Sequence, residues 1–146
     1  MKASQQNFGF SLLEVLVSMG VFFSIMTLGL LFGFDFYKTY IFYSERDVLI
    51  SVLQEARSKS MANINQVPYG VRLEESEYIL FQGNYNNIFT ESDYVYHLYP
   101  GMVLSGDIEV KFNQLSGRTD GGKIFSLSDG HRSAAIYINQ EGLIDW

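Results

Sequence analysis

The hydrophobic pattern divides the chain into three stretches. From Val15 to Phe34 twenty residues run without a charge, and apolar side chains fall on every side of a helix. Charges return at Asp35. Farther on, Val48, Leu49, Val52, Leu53, Ala56 and Ser60 recur at three- and four-residue spacings. Arg46, Asp47, Ser51, Gln54, Glu55 and Ser58 lie opposite them. This is the signature of a helix with one face on a core. No proline occurs before Pro68, so one helix is predicted from Phe10 to about Asn63. Its length would be roughly 80 Å at 1.5 Å per residue. Glu55 and Lys59 are placed as a favourable i,i+4 pair. Asn63, Asn65 and Pro68 supply the stop. Gly20, Gly29 and Gly33 interrupt the apolar half, each costing about 1 kcal/mol relative to alanine in a helix interior.

After Pro68 the period changes from helical to alternating. Strands are expected at Tyr69–Leu73, Tyr78–Gln82, Tyr94–Tyr99, Met102–Leu104, Ile108–Phe112, Lys123–Leu127, Ala134–Asn139 and Gly142–Asp145. Turns are expected at Gly83, Pro100-Gly101, Gly106, Gly117, Gly121-Gly122 and Gly130. Short strands joined this way form one or two antiparallel sheets, and the amphipathic helix half gives them a surface to fold against. The fold class is therefore α+β: a long amino-terminal helix packed on a carboxy-terminal antiparallel sheet or β-sandwich head.

Composition narrows the chemistry. The 146 residues carry a formal net charge of -6, which argues against a surface built to neutralise phosphates. The absence of cysteine excludes thiolate catalysis, disulfides and Cys-ligated metals. Only His97 and His131 offer imidazole chemistry, and no G-x-S-x-G or H-E-x-x-H motif accompanies them.

The uncharged stretch is longer than the core of a secretory signal peptide and no small-residue cleavage site follows it. About 20 apolar residues suffice to cross a bilayer. Lys2, the cation ahead of this stretch, favours a cytoplasmic amino terminus. Glu14 is the anomaly, because a carboxylate deep in a bilayer costs about 3 kcal/mol on insertion scales. Two readings stand: Glu14 reaches interfacial water, or assembly supplies a cationic partner.

The residues Gly9-Phe10-Ser11-Leu12-Leu13-Glu14, followed by the uncharged run Val15 to Leu28, resemble the prepilin signature of type IV pilins and type II secretion pseudopilins. Phe8 departs from the small or polar residue usual before the glycine. The resemblance implies cleavage between Gly9 and Phe10 by a membrane-embedded prepilin peptidase, and N-methylation of the new Phe10 amine. It implies that Glu14 of one subunit pairs with that amine on a neighbour during filament assembly. Farther along, Leu49, Leu53, Ala56-Arg57 and Gly70-Val71 are similar to a pattern of the minor pseudopilin H family and the related Fim-T-like minor pilins. Ser116-Gly117-Arg118, Ile136-Tyr137-Ile138-Asn139 and Gly142-Leu143-Ile144 also fit that family.

The organisation this implies is a leader at 1–9, a membrane and filament-core helix at 10–34, its amphipathic continuation at 35–63 and a β-rich head at 64–146. The function implied is structural, with no enzymatic activity and no cofactor. The chain would be processed, held in the inner membrane with its head outside the cytoplasm, and built into a pilus or pseudopilus. Its partners would be other pilin or pseudopilin subunits, the prepilin peptidase and the inner-membrane assembly platform. An alternative is a DNA-binding minor pilin of an uptake pilus. The acidic tail Gln140-Glu141-Gly142-Leu143-Ile144-Asp145-Trp146 lacks the arginine cluster such binding uses. A third reading is an uncleaved, membrane-anchored extracytoplasmic sensor or enzyme. Thr119-Asp120-Gly121-Gly122 and Ser128-Asp129-Gly130 invite comparison with calcium loops, but their spacing is that of Asp-Gly turns, and no metal site is expected. The aromatic run from Tyr78 to Tyr99 suits either strand packing or a subunit contact.

Overall fold

The computed structural model describes residues 11–74, 76–85 and 93–146, apart from the side chains of residues 31–33. Helix α1 spans Leu12–Met61, 50 residues, or about 75 Å of helix. Ser11 precedes it and its Oγ accepts the Glu14 N–H at 3.2 Å, satisfying one of the orphan donors of the first turn. Ser11 and Glu14 have the spacing of a capping box. The helix ends two residues before the expected Asn63. Asn63 and Asn65 both adopt left-handed backbone, at φ 53° and 54°, around a short 3-10 turn at Ile64–Gln66. Asparagine tolerates that conformation better than most residues. The Ser60 carbonyl is capped from outside the helix, by the Leu115 N–H at 2.9 Å.

The chain forms two compact units, residues 1–40 and 41–146. In the first, the described side chains from Leu12 to Leu30 and from Phe34 to Lys38 are all exposed. The second contains the rest of α1 and eight strands. These are β1 (Tyr69–Leu73), β2 (Glu77–Gln82), β3 (Tyr94–His97), β4 (Val103–Gly106), β5 (Glu109–Phe112), β6 (Lys123–Ser128), β7 (Ser133–Ile138) and β8 (Ile144–Asp145). All eight expected strands are present, with ends shifted by up to two residues.

They divide into two four-stranded sheets, ordered β3-β2-β1-β5 and β4-β6-β7-β8, with antiparallel neighbours throughout. Alternation decides what each buries. In the first sheet Tyr69, Val71 and Leu73 align with Tyr78, Leu80, Val110 and Phe112. In the second Leu104, Phe125, Leu127, Ile136 and Ile138 line the inner face. Both inner faces join Phe42, Leu49, Ile50, Val52, Leu53 and Ala56 of α1 in one continuous core. Burying a Leu or Phe side chain of this kind stabilises by about 1.5–3 kcal/mol.

The amphipathic stripe differs from expectation at one position. Val48 is 40% exposed, whereas Ile50 and Phe42 are buried. The core-facing stripe is centred on Phe42, Leu49, Leu53, Ala56 and Ser60, and Val48 falls to one side of it. Glu55 and Lys59 do pair, at 2.6 Å. The first sheet also buries residues on its second face. Ile79 and Phe81 are buried there. Phe81 sits over Gly70, where an added Cβ would come within 2.5 Å of its ring, and packs against Tyr85 with ring centroids 5.5 Å apart.

One tight approach ties the helix end to the loops. Arg57 donates from Nη2 to the Glu141 carbonyl at 3.4 Å. Gly117 and Gly142 lie against its side chain, and a Cβ on Gly142 would collide with the Gly117 carbonyl. With φ +74° as well, position 142 admits only glycine without strain.

Candidate functional site

Of the residues singled out at the amino terminus, Gly9 and Phe10 lie outside the described residues. Glu14 is the third residue of α1. Its backbone N–H is held by Ser11, through Oγ at 3.2 Å and through the carbonyl at 3.0 Å. Its carboxylate makes no hydrogen bond or ion pair among the described residues. An acidic group in the first turn is favoured there by the helix dipole. So the helix start orders the backbone at Glu14 and, among the described residues, leaves its side chain exposed and without a partner.

The apolar surface that follows is unusually free of polar interruptions. Ser18, Ser24 and Thr27 are the hydroxyl residues between Val15 and Phe34. Each donates to the carbonyl four residues back: Ser18 Oγ to Glu14 at 2.7 Å, Ser24 Oγ to Gly20 at 2.8 Å and Thr27 Oγ1 to Phe23 at 2.8 Å. Every hydroxyl in the stretch is therefore satisfied within the helix, as a hydrocarbon environment requires. Gly20 and Gly29 have open space where a Cβ would stand. This helix is long and apolar enough to cross a membrane.

The other candidates resolve into structure. Thr119 is buried, and its Oγ1 lies 2.7 Å from the Gly121 carbonyl and 3.0 Å from that of Asn139, closing the loop on itself. The Asp129 carboxylate accepts the backbone N–H groups of His131 at 2.9 Å and Arg132 at 2.6 Å. These bonds hold its carboxyl below the usual carboxylate range and make Ser128-Asp129-Gly130 a turn. Asp107 accepts the Ile124 N–H at 2.8 Å. Among the described residues no cluster of three or more His, Asp or Glu side chains could hold a metal ion. His97 Nδ1 lies 3.0 Å from Glu77 Oε2 on the surface.

A polar cleft of about 220 Å³ is lined by Glu109, Lys111, Thr119, Asp120 and Lys123. Its cations are engaged, Lys111 with Asn84 at 3.0 Å and Lys123 with Asp107 at 3.5 Å. The hydroxyl in its lining, Thr119 Oγ1, is committed to the Gly121 and Asn139 carbonyls.

The aromatic run splits between packing and surface. Tyr78 is buried and stacks on Tyr96 with centroids 5.2 Å apart. Burial, reinforced by the nearby Glu45 charge, pushes its phenol far above the ordinary value. Burial also raises the Glu45 carboxyl. Tyr94 and Tyr99 stand exposed, with the Lys59 ammonium 5.1 Å from the centre of the Tyr94 ring.

The prepilin-like motif and the apolar spacing assign no hydrogen-bonding role to Ser11 or to the three back-bonded hydroxyls. The signal for Ser11 was there, a serine three residues before a glutamate at a helix start. The back-bonding hydroxyls show only in the structure, because a serine or threonine in a helix can equally turn its hydroxyl away from the carbonyl four residues back. No protein-family model, no curated protein and no solved structure matches this chain.

Proposed function

We propose that this chain is a structural subunit, a minor pseudopilin or pilin-like protein. In this reading it is anchored in the inner membrane by α1, with a cytoplasmic amino terminus and an extracytoplasmic head. A prepilin peptidase cuts it between Gly9 and Phe10, and it is assembled into a type II secretion pseudopilus or a type IV pilus. The observation that carries the reading is Glu14: an exposed carboxylate without a partner among the described residues, on the first turn of a helix whose amino-terminal half is apolar and exposed, at the offset from Gly9 that the prepilin signature requires. Such a carboxylate gains most from a cation that arrives with its environment, and the Phe10 amine freed by cleavage is such a cation.

The reading is tested by Glu14→Ala and Glu14→Leu in the native host. Mass spectrometry of membrane-extracted protein is expected to show an amino terminus at Phe10 in both variants, while the sheared-filament fraction loses most of the subunit. Normal incorporation of both variants sinks the role of Glu14. In a deletion strain, loss of exoprotein release with surface filaments intact identifies a pseudopilus, and the converse identifies a type IV pilus.

A further inference from the structure

Immediately beyond the uncharged stretch, α1 changes chemistry within two turns. The sequence there is Asp35-Phe36-Tyr37-Lys38-Thr39-Tyr40. Phe36, Tyr37 and Tyr40 are 76%, 58% and 73% exposed. Phe36 and Tyr40, four apart, share one stripe of the helix and Tyr37 lies about 100° around from Phe36. Together with Lys38 they cover roughly half of its circumference. Tyrosine joins an apolar ring to a polar tip, and lysine joins an apolar stem to an ammonium. These are the side chains that settle where hydrocarbon meets headgroups.

The spacing to the other end of the stretch fixes the depth. Glu14 and Asp35 are 21 positions apart on one uninterrupted helix, about 32 Å along its axis. The hydrocarbon core of a bilayer is about 30 Å thick. The two carboxylates thus bracket one hydrocarbon thickness, and every hydroxyl between them is satisfied by its own helix. We infer that Phe36, Tyr37, Lys38 and Tyr40 form an interfacial collar in one leaflet's headgroup region, and that it holds Glu14 at the opposite headgroup level rather than within the hydrocarbon. This inference rests on the membrane-spanning reading of α1 proposed above. Its consequence is that Glu14 needs no cation while the subunit waits in the membrane. The demand for one arises when the helix leaves the lipid.

The test uses the full chain in phosphatidylcholine vesicles. Trp146→Phe removes the native tryptophan. Leu13→Trp, Ile25→Trp and Tyr40→Trp are then introduced one at a time, and quenching is compared between lipids brominated near the carbonyl and lipids brominated near the chain end. Ile25→Trp is expected to be quenched more by the deep bromines. Leu13→Trp and Tyr40→Trp are expected to be quenched at least about twofold more by the shallow ones. If Ile25→Trp behaves as expected but Tyr40→Trp is quenched only by aqueous acrylamide, the span stands and the collar is overturned. Protection of Tyr40→Trp from both acrylamide and bromolipid overturns it as well, because a protein then covers the aromatics. Deep quenching of Leu13→Trp overturns the placement of Glu14. If no bromolipid quenches Ile25→Trp, the membrane span itself fails, and with it the inference.

Discussion

Ser60 is a hydroxyl residue on an apolar stripe, and its surroundings explain why it is there. It is fully buried. Its Oγ accepts the Tyr69 N–H at 2.8 Å and lies 3.4 Å from the Tyr69 carbonyl. The helix thereby satisfies the backbone at the start of β1, where the chain enters the first sheet. Replacing Ser60 by alanine leaves the Tyr69 N–H buried without this partner. The expected cost is about 1–3 kcal/mol, read as a lower urea midpoint for the full chain in detergent. An unchanged midpoint would show that water takes over the bond. Helical spacing put Ser60 on the core side, but nothing in the pattern said what its hydroxyl would bond.

At the scale of elements, α1 does two jobs with one secondary structure. Its first half presents apolar side chains outward, with internally bonded hydroxyls. Its second half presents a stripe to both sheets. The stripe makes a contrast testable. Leu53 is completely buried and Val48 is 40% exposed, although both are apolar residues of the same helix. Leu53→Ala is expected to destabilise by about 2–5 kcal/mol, with a cavity left among β-strand side chains. Val48→Ala is expected to change stability by less than about 0.5 kcal/mol. Urea unfolding of each variant, followed by near-ultraviolet circular dichroism of the buried tyrosines, gives both values. Equal losses would mean that the stripe is wrongly centred. Spacing alone could not make this distinction, since Val48 and Ile50 both border the central Leu49–Leu53 row and only the position of the sheets decides which is covered.

At the scale of the molecule, residues 41–146 hold the continuous core and both four-stranded sheets as one compact unit. A chain of residues 41–146 is expected to fold without the first forty. It should remain soluble and unfold in one cooperative transition, because among the described residues none of the buried core lies before Phe42. Broad, probe-dependent melting with strong binding of a hydrophobic dye would show that the head depends on the preceding helix.

The elements are legible in the order of residues alone. The uncharged stretch, the helical stripe, the absence of proline before Pro68 and the glycine-marked strands all follow from local rules, and the eight strands form where alternation placed them. The position of the unusual charge is legible too, because Glu14 beside an apolar run is conspicuous without coordinates. Partnership between elements comes from the folded chain. Pairing β1 with β5 across the intervening strands, and sending β4 to the second sheet, are choices between similar antiparallel edges that no local pattern distinguishes. The same holds for the second buried face at Ile79 and Phe81, for the fit of Gly142 against Gly117 beside Arg57, and for the burial of Ile50 in place of Val48. Periodicity fixes which direction a side chain points along its own element. What it meets there depends on residues distant in sequence, and those contacts exist only once the whole core has closed.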